Sequence, residues 1–105
     1  MKNSNTDSVP SIVDLRRLGY KVRVSHFRNV LYKNATVDCT RVTKEDKKAR
    51  EFANIFERGG ETQIELTNRD GETFNAVAKC SNKDAFNRRL GNHICLARLA
   101  KQGAF

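Results

Sequence analysis

Glu61-Thr62-Gln63-Ile64-Glu65-Leu66-Thr67 runs into Asn68-Arg69-Asp70-Gly71, and the chain leaves again as Glu72-Thr73-Phe74-Asn75-Ala76-Val77-Ala78-Lys79-Cys80. Ile64 and Leu66 share one side of the first run. Phe74, Ala76, Ala78 and Cys80 share one side of the second. Alternation with a period of two marks a strand with one buried face. The Asp70-Gly71 pair, set in a polar break between two such runs, predicts a β-hairpin. A hairpin with one apolar face needs a cover, so its neighbours decide the fold.

Upstream, Thr43-Lys44-Glu45-Asp46 has the form of a capping box, with an acid three residues after a hydroxyl. Ala49, Phe52, Ala53 and Phe56 follow at i, i+3, i+4 and i+7. That spacing predicts an amphipathic helix, ended by Gly59-Gly60. Downstream, Ser81 reads as an N-cap with Asp84 three residues on, opening a second helix that runs to Lys101. At 100° per residue, Phe86, Leu90, Ile94 and Ala97 form a core stripe, with Asp84, Arg88 and Cys95 opposite. Ala85, Leu96 and Leu99 make a second apolar flank, either buried or forming a homodimer contact through Leu96 and Leu99. Gly91 reads as a tolerated mid-helix glycine costing about 1 kcal/mol. The alternative is close approach of another backbone or a ligand.

Further out, Tyr20 to Phe27 alternates, with Val22, Val24 and His26 on one face. Residues 35–42 are rich in β-branched side chains. Lys33-Asn34 is a plausible turn between these strands. Residues 10–19 predict a short helical turn stopped by Gly19. The expected fold is α+β: an antiparallel four-stranded sheet in ββαββα order, with two helices on one face. Residues 1–10 are expected to be a flexible tail and residues 11–105 a single domain.

The net charge of +8 is segregated. Residues 16–50 hold eleven Lys/Arg against three acids, residues 51–78 two against six, and residues 79–101 six against one. Two basic blocks separated by an acidic one suggest a basic surface and an acidic surface. No apolar run approaches the roughly 18 residues of a membrane span. The N-terminus lacks the apolar centre of a signal peptide. Cys39, Cys80 and Cys95, odd in number and widely spaced, suggest reduced thiols and a cytoplasmic setting, with Cys80 and Cys95 as small core residues.

Chemistry is sparse. His26 and His93 are the only histidines, and each reads as partly buried and hydrogen-bonded. No metal spacing, phosphate-binding glycine loop or nucleophile motif occurs, so no catalytic residue, metal or cofactor is expected. Binding is the better-supported expectation, because Arg and Lys neutralise phosphates. The candidates are Arg23, Arg28, Lys44, Lys47, Lys48, Lys83, Arg88, Arg89 and Arg98, with Asn87 and Asn92 as hydrogen-bonding partners. Tyr20, Phe27 and Tyr32 interleave with the basic residues and could stack on bases.

Gly19-Tyr20-Lys21-Val22-Arg23-Val24-Ser25-His26, followed by Lys83-Asp84-Ala85-Phe86-Asn87-Arg88-Arg89-Leu90-Gly91 and Ala97-Arg98, resembles small accessory proteins of phages and mobile elements. The resemblance covers about a third of the chain. It implies a viral or mobile-element role in the host cytoplasm and no defined activity. The partner is expected to be DNA or RNA. The alternatives are a counter-defence inhibitor of anti-CRISPR type, gripping a nuclease or its guide-RNA complex, and a sponge for anionic nucleotide signals.

Overall fold

The computed structural model describes residues 9–43, 47 and 54–105. Its elements are α1 (Ile12–Arg17), β1 (Lys21–Tyr32), β2 (Ala35–Arg41), β3 (Asn54–Ile55), β4 (Glu61–Thr67), β5 (Thr73–Lys79) and α2 (Arg88–Lys101). The strands form one antiparallel sheet in the order β2-β1-β4-β5, with β3 paired to β1 alone. The α+β class and the antiparallel sheet match the sequence reading. The order does not: a helix comes first, and five strands rather than four occur among the described residues.

β1 is long enough to serve three partners. Its residues 21–27 pair with β4, its residues 27–32 pair with β2, and Val30 and Leu31 also pair with β3. The β1–β2 reversal is the predicted Lys33-Asn34 turn. Both residues have positive φ, +48° and +67°, the combination whose twist suits a two-residue hairpin. In the β4–β5 loop, Asn68 Oδ1 accepts from the backbone N–H of Asp70 and of Glu72, each at 2.9 Å. Gly71, at φ +89°, completes that reversal.

Three cross-strand rows make the buried face: Val22–Leu66–Phe74, Val24–Ile64–Ala76 and His26–Thr62–Ala78. α1 covers this face with Leu15, and α2 covers it with Cys95, Leu96 and Leu99. Ser11 caps α1 by accepting from the Asp14 N–H at 3.1 Å. Val9, within the stretch expected to be a tail, packs on the same core; residues 1–8 lie outside the described residues. β5 is an edge strand whose outer carbonyls are covered. Arg98 Nη1 donates to Val77, and Gln102 Nε2 donates to Asn75 at 2.9 Å. A blunted edge is poor at recruiting another strand.

Two helix expectations need correction. Most of the helix expected over 43–59 lies outside the described residues. Lys47 is helical, and its N–H donates to the Thr43 carbonyl at 3.2 Å. Asn54 and Ile55, however, are strand, and the Phe56 N–H donates to the Asn29 carbonyl at 2.9 Å. β4 ends its pairing at Phe27, and β3 satisfies the β1 edge beyond it.

The closing helix starts at Arg88, not beside Ser81. Ser81 caps only a turn, its Oγ accepting from the Lys83 N–H. The next residues find partners across the chain: the Asp84 carbonyl accepts from Gly59 and the Phe86 N–H donates to Glu57. Asn87 then caps α2, its Oδ1 accepting from the Leu90 N–H at 3.0 Å.

The expected core stripe is rotated accordingly. Leu90 is 53% exposed, while Cys95 is fully buried. The second flank packs into the core: Leu99 is fully buried, and Leu96 keeps a small exposed edge in the cleft beside residues 9–12.

Candidate functional site

Strand alternation sends His26 and Arg28 to the helix side of the sheet, next to the first turn of α2 with Arg88 and Arg89. Arg41, at the end of β2, and Lys47 close in from the other direction. His26, Arg41, Lys47 and Arg88 line a cleft of about 340 Å³. A second cleft, of about 530 Å³, opens across His26 and Arg88, between residues 9–12 and α2. Arg89, Asn92, His93 and Leu96 line its helix side.

Among the described residues, neither lining contains a carboxylate. Among the described residues the single ion pair is Asp14–Arg17, at 3.4 Å and exposed. None of the described cations lining the two clefts is in an ion pair.

His26 holds the clefts to the core. Its Nδ1 lies 3.2 Å from Thr62 Oγ1, in a hydrogen bond whose direction follows the imidazole tautomer. The Phe86 ring meets it edge-on at 5.7 Å. Thr62 is fully buried, and α2 crosses it at Gly91. A Cβ on Gly91 would lie 2.3 Å from Thr62 Oγ1 and 2.9 Å from Thr62 Cβ. This glycine is thus required by close approach of helix and strand, which corrects its reading as merely tolerated.

Arg28 is fixed beside this contact. Its guanidinium lies 4.4 Å from the Phe86 ring centre, and its Nη2 donates to the Phe56 carbonyl at 2.7 Å. Burial, then the charges of Arg88, Arg28 and Lys47, hold the His26 imidazole below its ordinary pKa. Burial and Arg88 likewise lower that of Arg28. Burial leads both shifts, and neighbouring positive charge adds to each.

The structure gathers only part of the expected binding set. Lys47, Arg88 and Arg89 line the clefts, and Arg28 lies near His26 but in neither lining. Arg23 sits on the opposite face of the sheet, across from Glu65. Lys83 is exposed on the 81–84 turn, its carbonyl accepting from Arg58. Asn87 is committed to capping α2, and Arg98 to the β5 edge. Lys44 and Lys48 lie outside the described residues.

The three aromatics expected to stack are dispersed. Tyr20 packs edge-on against Phe105, Phe27 lies on the far face of the sheet, and Tyr32 sits at the hairpin tip under Lys33. The residues missed are His26, Arg41 and His93 as cleft walls, whereas Asn92, expected as a hydrogen-bonding residue, lines the larger cleft. Alternation marked His26 for the helix side, whereas no local signal brings Arg41 to α2.

The thiols are placed without a histidine partner among the described residues. Cys95 is buried and donates to the Thr62 carbonyl at 3.3 Å. Cys80 is half-buried over the carbonyls of the 81–85 turn. Cys39 faces Glu61 at 3.5 Å. Burial pushes the Cys95 thiol up, and burial with the Glu61 charge does the same at Cys39. Among the described residues no group of His, Cys, Asp and Glu has metal-holding geometry, and no helix is long and apolar enough to cross a membrane. Comparison with protein-family models, curated proteins and solved structures gave no match.

Proposed function

We propose that this chain is a small, non-enzymatic nucleic-acid-binding protein that grips phosphates at the paired basic clefts. The setting is the cytoplasmic phage or mobile-element role that the sequence resemblance implies. One observation supports this reading above the others. Arg41, Lys47, Arg88 and Arg89 line two adjoining clefts beside His26 and His93, with Arg28 near His26 and no carboxylate among the described lining residues. Such crowding opposes folding by self-repulsion, and an anionic ligand relieves it. The alternative surface for a protein partner is the acidic block, where Glu57, Glu65, Asp70 and Glu72 are exposed while Glu61 is buried against Gln63 and Cys39.

The test is fluorescence anisotropy with single-stranded and duplex oligonucleotides of DNA and RNA. For about four phosphate contacts, affinity falls roughly 100-fold between 50 and 200 mM salt. Binding that does not change with salt, or no binding at low salt, refutes the reading.

A further inference from the structure

The two clefts differ in chemistry and share a wall. On one side of His26 and Arg88, Arg41 and Lys47 close a chamber of about 340 Å³ from two further chain segments. On the other side, Val9, Ile12 and Leu96 give the 530 Å³ chamber an apolar surface, with Arg89, Asn92 and His93 at its polar positions. Asn92 Oδ1 is buried and has no hydrogen-bond partner among the described residues. An apolar wall with a few placed polar groups is the usual make-up of a small-ligand site.

A phosphate within a strand carries one charge and continues in both directions. A phosphomonoester at a strand end carries about −1.5 to −2 charges and three acceptor oxygens, and can be met from several sides at once. A cleft on which cations converge from β2, Lys47 and α2 fits the second better. The neighbouring apolar chamber lies where the attached nucleoside would go.

We propose that the paired clefts seat a terminal nucleotide. Its phosphomonoester is held by Arg41, Lys47 and Arg88, and its nucleoside rests on Val9, Ile12 and Leu96. This rests on the nucleic-acid reading and narrows it from a strand to a strand end. The same nucleoside phosphomonoester chemistry also occurs in free mononucleotides.

The experiment compares one labelled single strand ending in a 5′-phosphate, a 3′-phosphate or hydroxyls only, with free nucleoside monophosphates as competitors. One phosphorylated end is expected to bind at least about tenfold more tightly than the hydroxyl strand, as one or two charge-assisted hydrogen bonds provide. Arg41→Gln with Lys47→Gln brings that ratio to about 1 by removing two such donors, whereas Lys101→Gln, on the last turn of α2, leaves it unchanged.

Displacement of the phosphorylated strand by mononucleotides assigns the seat to free nucleotides as well. Failure to displace confines it to strand ends. Equal affinity of all three strands overturns the proposal in the unsubstituted protein. If that common affinity still falls with salt, nucleic-acid binding stands without an end site. Mononucleotide binding with no strand binding upholds the seat and refutes the nucleic-acid reading.

Discussion

Gly91→Ala puts the contact between α2 and β4 to a quantitative test. In an unobstructed helix interior this substitution stabilises by about 1 kcal/mol. Here the new methyl would sit 2.3 Å from Thr62 Oγ1 and 2.9 Å from Thr62 Cβ, inside any real carbon contact. Thr62 is fully buried on a central strand, so its side chain has no solvent to swing into. Either α2 lifts from the sheet or the hydroxyl leaves His26. Overpacking of this kind costs about 1–3 kcal/mol.

Set against the gain in helix propensity, the net loss is up to about 2 kcal/mol. For a chain of this size that corresponds to a fall in Tm of up to about 10 °C. Urea and thermal unfolding measure it directly. Thr62→Ala removes the atom at 2.3 Å, so Gly91→Ala costs less in that background, with a coupling of about 1 kcal/mol. A stabilised Gly91→Ala protein, or strict additivity with Thr62→Ala, refutes the close crossing.

Acidification tests His26. Its folded pKa lies below the ordinary 6.5, so the unfolded chain takes up the proton first as pH falls. The stabilising contribution is complete above about pH 6.5 and is lost as pH falls from there toward the folded value. Urea midpoints at pH 7.5 and 5.5 read this loss, and His26→Gln lessens it. A bound phosphate favours the protonated imidazole, so affinity for anions rises over the same pH fall. Asn87→Ala removes the α2 cap and lowers stability by about 1 kcal/mol while leaving the salt slope of binding unchanged. A reduced slope would show that Asn87 acts on the ligand instead. Arg98→Ala uncovers the β5 edge, destabilising by about 1 kcal/mol and promoting self-association in light scattering, with little effect on binding.

The sheet was readable because its faces and turns are local. A period of two placed Val22, Ile64, Leu66, Ala76 and Ala78 on the buried side. Lys33-Asn34, Asn68–Gly71 and Gly19 carry their reversals in their own chemistry. The helices were misjudged where distant backbone competes with local capping. Ser81 and Asp84 imitate a helix start, but Gly59 and Glu57 claim the backbone of residues 84–86. Asn87 inherits the cap, and the core stripe turns toward Cys95 and Leu99. Asn54 and Ile55 lie between the stripe residues Ala53 and Phe56 of the expected helix, yet the edge of β1 pairs them as β3.

The site divides in the same way. Arg88 and Arg89 stood out as charge on one segment. Their meeting with Arg41, Lys47 and His26 follows from register and from the Gly91–Thr62 crossing. Arg98 and Asn87 carried the right chemistry, but the fold spends it on a strand edge and a helix cap.

The central claim is that α2 meets phosphates with its first turn. The most direct measurement is the slope of log affinity against log salt for the unsubstituted chain and for Arg88→Ala with Arg89→Ala. Loss of two phosphate contacts predicts a slope shallower by about 1.4–1.8, with weaker binding at every salt concentration. An unchanged slope and affinity in a folded double variant would contradict the account.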